Sequence, residues 1–97
     1  MLFHVHIALK LPRDIAPETL TRLQAMEKEV ARQLQVDGTW LHLWRVAGKS
    51  ENLSIFEVAD ADQLHEVLSS LPLYPFMELT VTALSRHPGA IATGARS

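Results

Sequence analysis

Residues 27–48 have the sequence Glu-Lys-Glu-Val-Ala-Arg-Gln-Leu-Gln-Val-Asp-Gly-Thr-Trp-Leu-His-Leu-Trp-Arg-Val-Ala-Gly, which joins the end of a helix to a strand. Gly38 lies at the joint, where glycine readily adopts the left-handed conformation that ends a helix. The helix has an apolar stripe with a period of about 3.6 residues, formed by Leu20, Leu23, Val30 and Leu34. Glu27 falls near the middle of that stripe. Burying a carboxylate is costly unless it is paired, hydrogen-bonded or protonated, so Glu27 is the first candidate functional residue.

The strand half of this stretch is largely apolar on both faces. Strict alternation predicts one face with Trp40, His42, Trp44 and Val46 and an opposite face with Leu41, Leu43, Arg45 and Ala47. A strand with one solvated face alternates more cleanly between apolar and polar residues. The pattern therefore predicts a strand covered on both sides, which a small two-layer domain achieves only with another chain.

The whole chain predicts the order β-α-β-β-α-β in a single domain of 97 residues. The predicted strands are 2–11, 39–47, 53–58 and 76–84, and the predicted helices are 17–36 and a second one that begins at Asp60, with Gln63 in the capping-box position. This order is typical of the α+β class and predicts a ferredoxin-like sandwich, a four-stranded antiparallel sheet with two helices on one face. Residues 86–97 are expected to form an irregular tail. The open sheet face would carry apolar groups, which favours self-association.

The bulk composition excludes several classes of partner. The net charge is −2 and no cluster of basic residues occurs, which argues against nucleic acid or an anionic membrane as the main partner. The chain has no cysteine, which agrees with a cytoplasmic location and excludes thiolate chemistry. The N-terminal segment has no basic lead and contains two histidines, so it predicts neither a signal peptide nor a membrane span.

Glu27 is predicted to act as a general base, because a carboxylate shielded from water has a raised proton affinity. The alternative is structural: Glu27 lies at the edge of the stripe and pairs with Lys28, Arg32 or an arginine of another chain. Arg45 on a mostly apolar face needs a partner, and Glu27 or a bound carboxylate would serve.

The other polar residues are weaker candidates for a functional site. His42 is either a proton carrier or a satisfied core histidine. His4 and His6 share a strand face but lack a third ligand, so no metal site is expected. The sequence has neither a glycine-rich phosphate loop nor a nucleophile motif. An enzyme with these residues would perform cofactor-free acid–base chemistry on a small anionic molecule.

Several motifs carry a family resemblance: the opening Met-Leu-Phe-His-Val, Glu27-Lys28-Glu29, Gly-Thr-Trp-Leu-His-Leu-Trp-Arg-Val-Ala-Gly at 38–48, and Leu-Pro-Leu-Tyr-Pro-Phe-Met at 71–77. Together with Arg86-His87-Pro88, they make nearly the whole chain similar to the muconolactone Δ-isomerase family. That resemblance implies ferredoxin-like subunits in large rings, commonly decamers. It implies isomerisation of muconolactone to 3-oxoadipate enol-lactone, in the catechol branch of the β-ketoadipate pathway, without a cofactor or metal.

In this family context Glu27 would be the shuttle base. Lys28, His42 or Arg45 would hold the substrate carboxylate and the developing oxyanion. The chain departs from the family pattern at His6, at Met26 and at Lys49-Ser50, which concerns the choice between plain and methyl- or chloro-substituted muconolactones. A non-catalytic ferredoxin-like module that binds a small ligand is the alternative from another class.

Overall fold

The computed structural model describes residues 1–91 of the chain. The structural elements follow the order β1 (Leu2–Leu9), α1 (Pro17–Val36), β2 (Trp40–Arg45), β3 (Glu51–Glu57), α2 (Ala61–Ser69) and β4 (Met77–Leu84). A single 3-10 turn, Tyr74–Phe76, precedes β4. Residues 85–91 follow β4 without helix or strand. The rest of the predicted irregular tail, residues 92–97, lies outside the described residues.

Local chemistry sets the ends of both helices. Pro17 occupies the first turn of α1, where its missing N–H costs nothing. At the other end Gly38 has a φ of +85°, and the Thr39 N–H donates to the Leu34 carbonyl at 3.0 Å, which completes a Schellman cap. Asp60 caps α2, because its Oδ1 accepts from the Gln63 N–H at 2.8 Å. The predicted helix starts and the glycine cap are therefore confirmed.

The sheet has the strand order β2-β3-β1-β4 with antiparallel pairing throughout. Alternate residues of β1 and β3 form the sheet side of the core, and the apolar side chains of both helices pack on that face. The buried cluster includes Phe3, Val5, Phe56, Ala31, Leu64 and Leu68. The ferredoxin-like sandwich predicted from the sequence is thus confirmed.

A β-bulge in β2 overturns the predicted division of that strand into faces. Trp40 pairs with Phe56 and His42 pairs with Ile55, so Leu41 is an extra residue without its own partner. Because the bulge shifts the alternation by one residue, Trp40 lies on the helix-covered face while His42 and Trp44 lie on the open face. The prediction that Trp40 and His42 share a face was wrong.

The two faces of β2 are mostly exposed in one chain. Trp40 is buried, but every residue from Leu41 to Arg45 is exposed. The open face of the sheet also carries Leu2, Leu53 and Leu84, each more than a third exposed, and Trp44 at 66%. Neither α1 nor α2, the helices found within residues 1–91, has the length and hydropathy needed to cross a membrane.

Candidate active site

A cleft of about 520 Å³ opens between α1 and the sheet, at the end of the core opposite Trp40. Its floor is the helix-covered face of the sheet, and its wall is formed by α1 and the chain after α2. The floor contributes Ile7, Leu43, Arg45 and Asn52, and the wall contributes Gln24, Glu27 and Leu73. Apolar walls with a few convergent polar groups are typical of a site for a small molecule.

Glu27 is the half-buried acid of this cleft. Its Oε1 accepts a hydrogen bond from the Leu73 N–H at 3.0 Å. Burial raises the pKa of Glu27 above its ordinary value, and the Leu73 hydrogen bond offsets only part of that rise. Among residues 1–91, no cationic side chain lies within salt-bridge distance of Glu27. Its carboxylate therefore binds a proton more tightly than an exposed glutamate does.

The loop after α2 explains how Glu27 is held in place. Leu71 and Leu73 are buried and anchor this loop against the core. The Tyr74 N–H donates to the Leu71 carbonyl at 2.9 Å, which makes a tight turn. The turn aims the Leu73 N–H at the helix, where it fixes one carboxylate oxygen of Glu27. The other oxygen, Oε2, accepts no hydrogen bond within the described chain.

The structural alternative for Glu27 named Arg32 as a possible partner. Arg32 instead pairs with Glu29, with Nη2 2.9 Å from Oε1, on the exposed side of α1. That pairing lowers the pKa of Glu29 through the hydrogen bond and the charge of Arg32. Two glutamates two residues apart on one helix therefore have opposite pKa shifts.

Arg45 brings a positive charge to the cleft floor. Its side chain is exposed, and Nη1 donates to the Lys49 carbonyl at 3.2 Å within the β2–β3 turn. This hydrogen bond uses one of the five guanidinium N–H groups. The remaining donors can bind a carboxylate in bidentate fashion.

Lys28 and His42 lie outside the cleft of their own chain. Lys28 is exposed on α1 and is not among the cleft-lining residues. His42 lies on the open sheet face because of the bulge at Leu41. Of the four residues predicted for the site, one chain thus brings together Glu27 and Arg45. Contact of Lys28 or His42 with a substrate stays a prediction.

The two N-terminal histidines lie on β1, and His6 has an acidic partner. His6 Nε2 hydrogen-bonds to Glu51 Oε1 at 2.8 Å, which lowers the pKa of Glu51. His4 and His6 share the open face, as predicted, but residues 1–91 contain no group of three potential ligands that could hold a metal ion. Glu51 also lines the cleft, so His6 is joined to the cleft lining through this hydrogen bond.

Gln24, Asn52 and the Leu73 N–H are among the polar contributors to the site that sequence reasoning missed. Gln24 precedes Glu27 by three residues, so helical spacing alone could have placed it on the same face. Asn52 was assigned to the β2–β3 turn, but β3 begins at Glu51 and directs the Asn52 side chain into the cleft. The Leu73 N–H left no signal in the sequence, because every residue except proline has a backbone N–H.

Comparisons with known proteins agree on one family. The family model described as Muconolactone delta-isomerase matches residues 1–90. The Muconolactone Delta-isomerase of Pseudomonas aeruginosa is 47% identical over 91 residues, covering 94% of this chain and 95% of that protein. The Muconolactone Delta-isomerase of Rhodococcus opacus is 42% identical over 86 residues, covering 89% and 92%. A crystal structure of muconolactone isomerase superposes with a TM-score of 0.90 at 49% identity, covering 96% of this chain and 97% of that one.

Proposed function

The chain belongs to the muconolactone Delta-isomerase family and isomerises muconolactone, and we propose that Glu27 is the base that moves the proton in this reaction. The observation that carries the proposal is a half-buried carboxylate with a raised pKa in a cleft that also contains Arg45. A carboxylate with a raised pKa is a stronger base than an exposed glutamate, and it can return the proton in the same catalytic cycle.

The reaction moves the ring double bond of muconolactone and gives 3-oxoadipate enol-lactone. Glu27 removes the proton from the ring carbon that bears the carboxymethyl group. The electron pair of that C–H bond moves through the ring double bond onto the lactone carbonyl oxygen, which gives a dienolate. The protonated Glu27 then delivers the same proton to the carbon beside the carbonyl. Substrate and product have the same atoms, so the step needs no oxidant or reductant.

The hydrogen bond from Leu73 holds the Glu27 carboxylate during both transfers. Because Oε1 accepts the hydrogen bond from the Leu73 N–H, Oε2 is the oxygen that takes and returns the proton. If one carboxylate serves both ring carbons, the proton must leave and return on the same face of the lactone. A cleft with Glu27 on its wall and the sheet as its floor permits that arrangement.

Two floor residues would bind the substrate's charges. Arg45 would hold the carboxymethyl group, because a guanidinium pairs with a carboxylate through parallel hydrogen bonds. Asn52 would donate to the lactone carbonyl oxygen, where negative charge develops. Lys28 and His42 would reach a substrate only from another copy of the chain, since neither lines the cleft of its own.

A homo-oligomer, a decamer by family resemblance, forms part of the proposal. Its support is the open sheet face, where Trp44, Leu53 and Leu84 leave apolar area in water that a second copy would cover. Sedimentation equilibrium of the purified chain tests this. The cytoplasmic location stays a prediction.

The test of function compares the parent protein, Glu27→Gln and Glu29→Gln with muconolactone in deuterated water. The parent is expected to isomerise the lactone, and Glu27→Gln is expected to lose about 10²- to 10⁴-fold in kcat, the usual contribution of a general base. Glu29→Gln is the matched control, because Glu29 lies on the same helix but is exposed and paired with Arg32.

Near-normal turnover by a folded Glu27→Gln variant would contradict the assignment of the base. Faster turnover of methyl- or chloro-substituted lactones by the parent would identify a substituted muconolactone as the true substrate. Binding of the lactone without any proton exchange would favour the non-catalytic module instead.

A further inference from the structure

We propose that Ser54 is a positioning residue, which fixes the side-chain amide of Asn52 so that its NH₂ group is presented to the cleft. The proposal rests on the proposed function, because the group that this amide would serve is the lactone carbonyl oxygen. Ser54 itself does not line the cleft. It would act on the reaction entirely through Asn52.

The two residues lie on the same face of β3, two positions apart. Ser54 is only 1% exposed, and its Oγ donates to Asn52 Oδ1 at 2.7 Å. Asn52 pairs with Ile7 of β1 on one side and with Arg45 of β2 on the other, so the strand on each side holds its backbone in register. The backbone and the acceptor end of the Asn52 side chain are therefore both fixed.

The hydroxyl proton of Ser54 determines which end of the amide faces the cleft. An amide oxygen can only accept, whereas the NH₂ group can only donate. If the amide were reversed, Ser54 would accept from it, and the Ser54 hydroxyl proton would lose its partner. No other acceptor for Ser54 Oγ is found among residues 1–91. A buried donor without a partner is costly, so the orientation with Oδ1 towards Ser54 is favoured.

The consequence is a preorganised donor. Asn52 lines the cleft, and no protein group within residues 1–91 accepts from its Nδ2. Both N–H groups of the amide therefore stay available for a ligand. A donor that is already oriented does not have to reorganise when charge develops on the lactone oxygen. Without Ser54 the amide could rotate and present its oxygen, which would repel that charge.

Kinetics of a double-mutant cycle test whether Ser54 acts through Asn52. Asn52→Ala is expected to lower kcat by about 10²-fold, as the loss of an oxyanion donor does. Ser54→Ala is expected to lower kcat by about 5- to 10-fold with little change in KM, because the interaction strengthens in the transition state. In the Asn52→Ala background, Ser54→Ala should change kcat by less than about 2-fold.

Two control variants and two contradicting outcomes complete the kinetic test. Ser54→Thr keeps the hydroxyl and should retain kcat within about 2-fold, while Ser69→Ala, an exposed serine on α2, should leave turnover unchanged. An equal loss from Ser54→Ala in both backgrounds would overturn the proposal, because it would show that Ser54 acts independently of Asn52. Unchanged kcat in Ser54→Ala would overturn it as well.

A spectroscopic measurement gives a readout that does not depend on turnover. Asn52 is the only asparagine of the chain, so protein labelled with ¹⁵N-asparagine gives one side-chain NH₂ signal. The probe is (5-oxotetrahydrofuran-2-yl)acetate, a saturated analogue of muconolactone that lacks the ring double bond. The signal should shift on titration of the parent protein, and that shift should fall at least about 2-fold in Ser54→Ala.

The two measurements separate a failure of this inference from a failure of the proposed function. Identical Asn52 signals in the parent and in Ser54→Ala, with and without the probe, would overturn the positioning role even if the enzyme isomerises muconolactone. A parent protein that does not turn over muconolactone would overturn the function. In that case the signals would still decide whether Ser54 orients the amide.

Discussion

The two ends of the space between the helices and the sheet differ in how completely they are filled. At one end Trp40 stacks on Phe56 with ring centroids 4.8 Å apart, and both side chains are almost fully buried. At the other end Leu43 is 41% exposed and lies beside the cleft that contains Glu27 and Arg45. Strands β1, β2 and β3 and helix α1 contribute residues to both ends.

The polarity of the α1 side chains accounts for much of this difference. At the closed end, Ala31 of α1 belongs to the buried cluster that contains Trp40 and Phe56, and Leu34 packs against that cluster. One and two turns earlier, Glu27 and Gln24 replace apolar residues, and polar side chains do not pack against an apolar floor without partners. The closed end therefore stabilises the fold, and the open end retains room for a ligand. Along a single helix, one part is thus buried in the core and the next lines a cleft.

The largest expected effect is a difference in the free energy of unfolding between variants at the closed end and at the open end. Phe56→Ala should lower the free energy of unfolding by about 3–5 kcal/mol, because it leaves a cavity in the closed end. Leu43→Ala should cost roughly 1 kcal/mol, because its side chain already contacts solvent. Denaturant titration of both variants measures the difference. Equal losses would show that the cleft end is packed as tightly as the core.

A second prediction concerns the charge at the open end. Arg45→Met should raise KM for muconolactone about 10- to 100-fold with a smaller change in kcat, since a charge-assisted hydrogen bond contributes about 1.5–3 kcal/mol. Arg22→Met is the control, because Arg22 is exposed on α1 and does not line the cleft. Steady-state kinetics gives both constants. An unchanged KM would assign the substrate carboxylate to another cation, such as Lys28 of a neighbouring copy.

The smallest expected effect is a gain in the thermal stability of Glu27→Gln that depends on pH. Folding raises the pKa of Glu27, so its ionised form disfavours the folded state at pH values above the folded pKa. That penalty is absent below the unfolded pKa, for which 4.5 is the reference value. Glu27→Gln should therefore melt at a higher temperature than the parent at pH 8, and the gap should close as the pH falls towards 4.5.

Glu29→Gln provides a control of opposite sign for the melting experiment. Arg32 lowers the pKa of Glu29, so its ionised form favours the folded state above the unfolded pKa. The loss of that carboxylate should slightly lower the melting temperature at pH 8, with the difference vanishing in acid. A lower melting temperature for Glu27→Gln at pH 8 would contradict the idea that the open end sacrifices stability for a reactive carboxylate.

The order of elements followed from the sequence because its signals are local. The Schellman cap at Gly38 and the N-cap at Asp60 depend on residues within one turn of the helix. The position of Glu27 on the apolar stripe depends on helical period alone, and the structure places Glu27 facing the sheet as that period predicts. These features needed no knowledge of distant contacts.

The faces of β2 did not follow from the sequence, because they depend on pairing with β3. Alternation predicts faces correctly only while every residue has a partner across the ladder, and the extra residue at Leu41 breaks that condition. The same pairing brings Asn52 into the cleft beside Arg45 and separates His42 from it.

The sequence by itself determined the fold class, the helix ends and the identity of the half-buried acid, since each depends on residues close together in the chain. Only the tertiary structure decided which groups meet that acid. The Leu73 N–H reaches Glu27 across 46 residues of sequence, and Arg45 and Asn52 lie in the same cleft through strand register. Contacts between distant residues depend on how the elements pack, and no local pattern of residue types encodes that geometry.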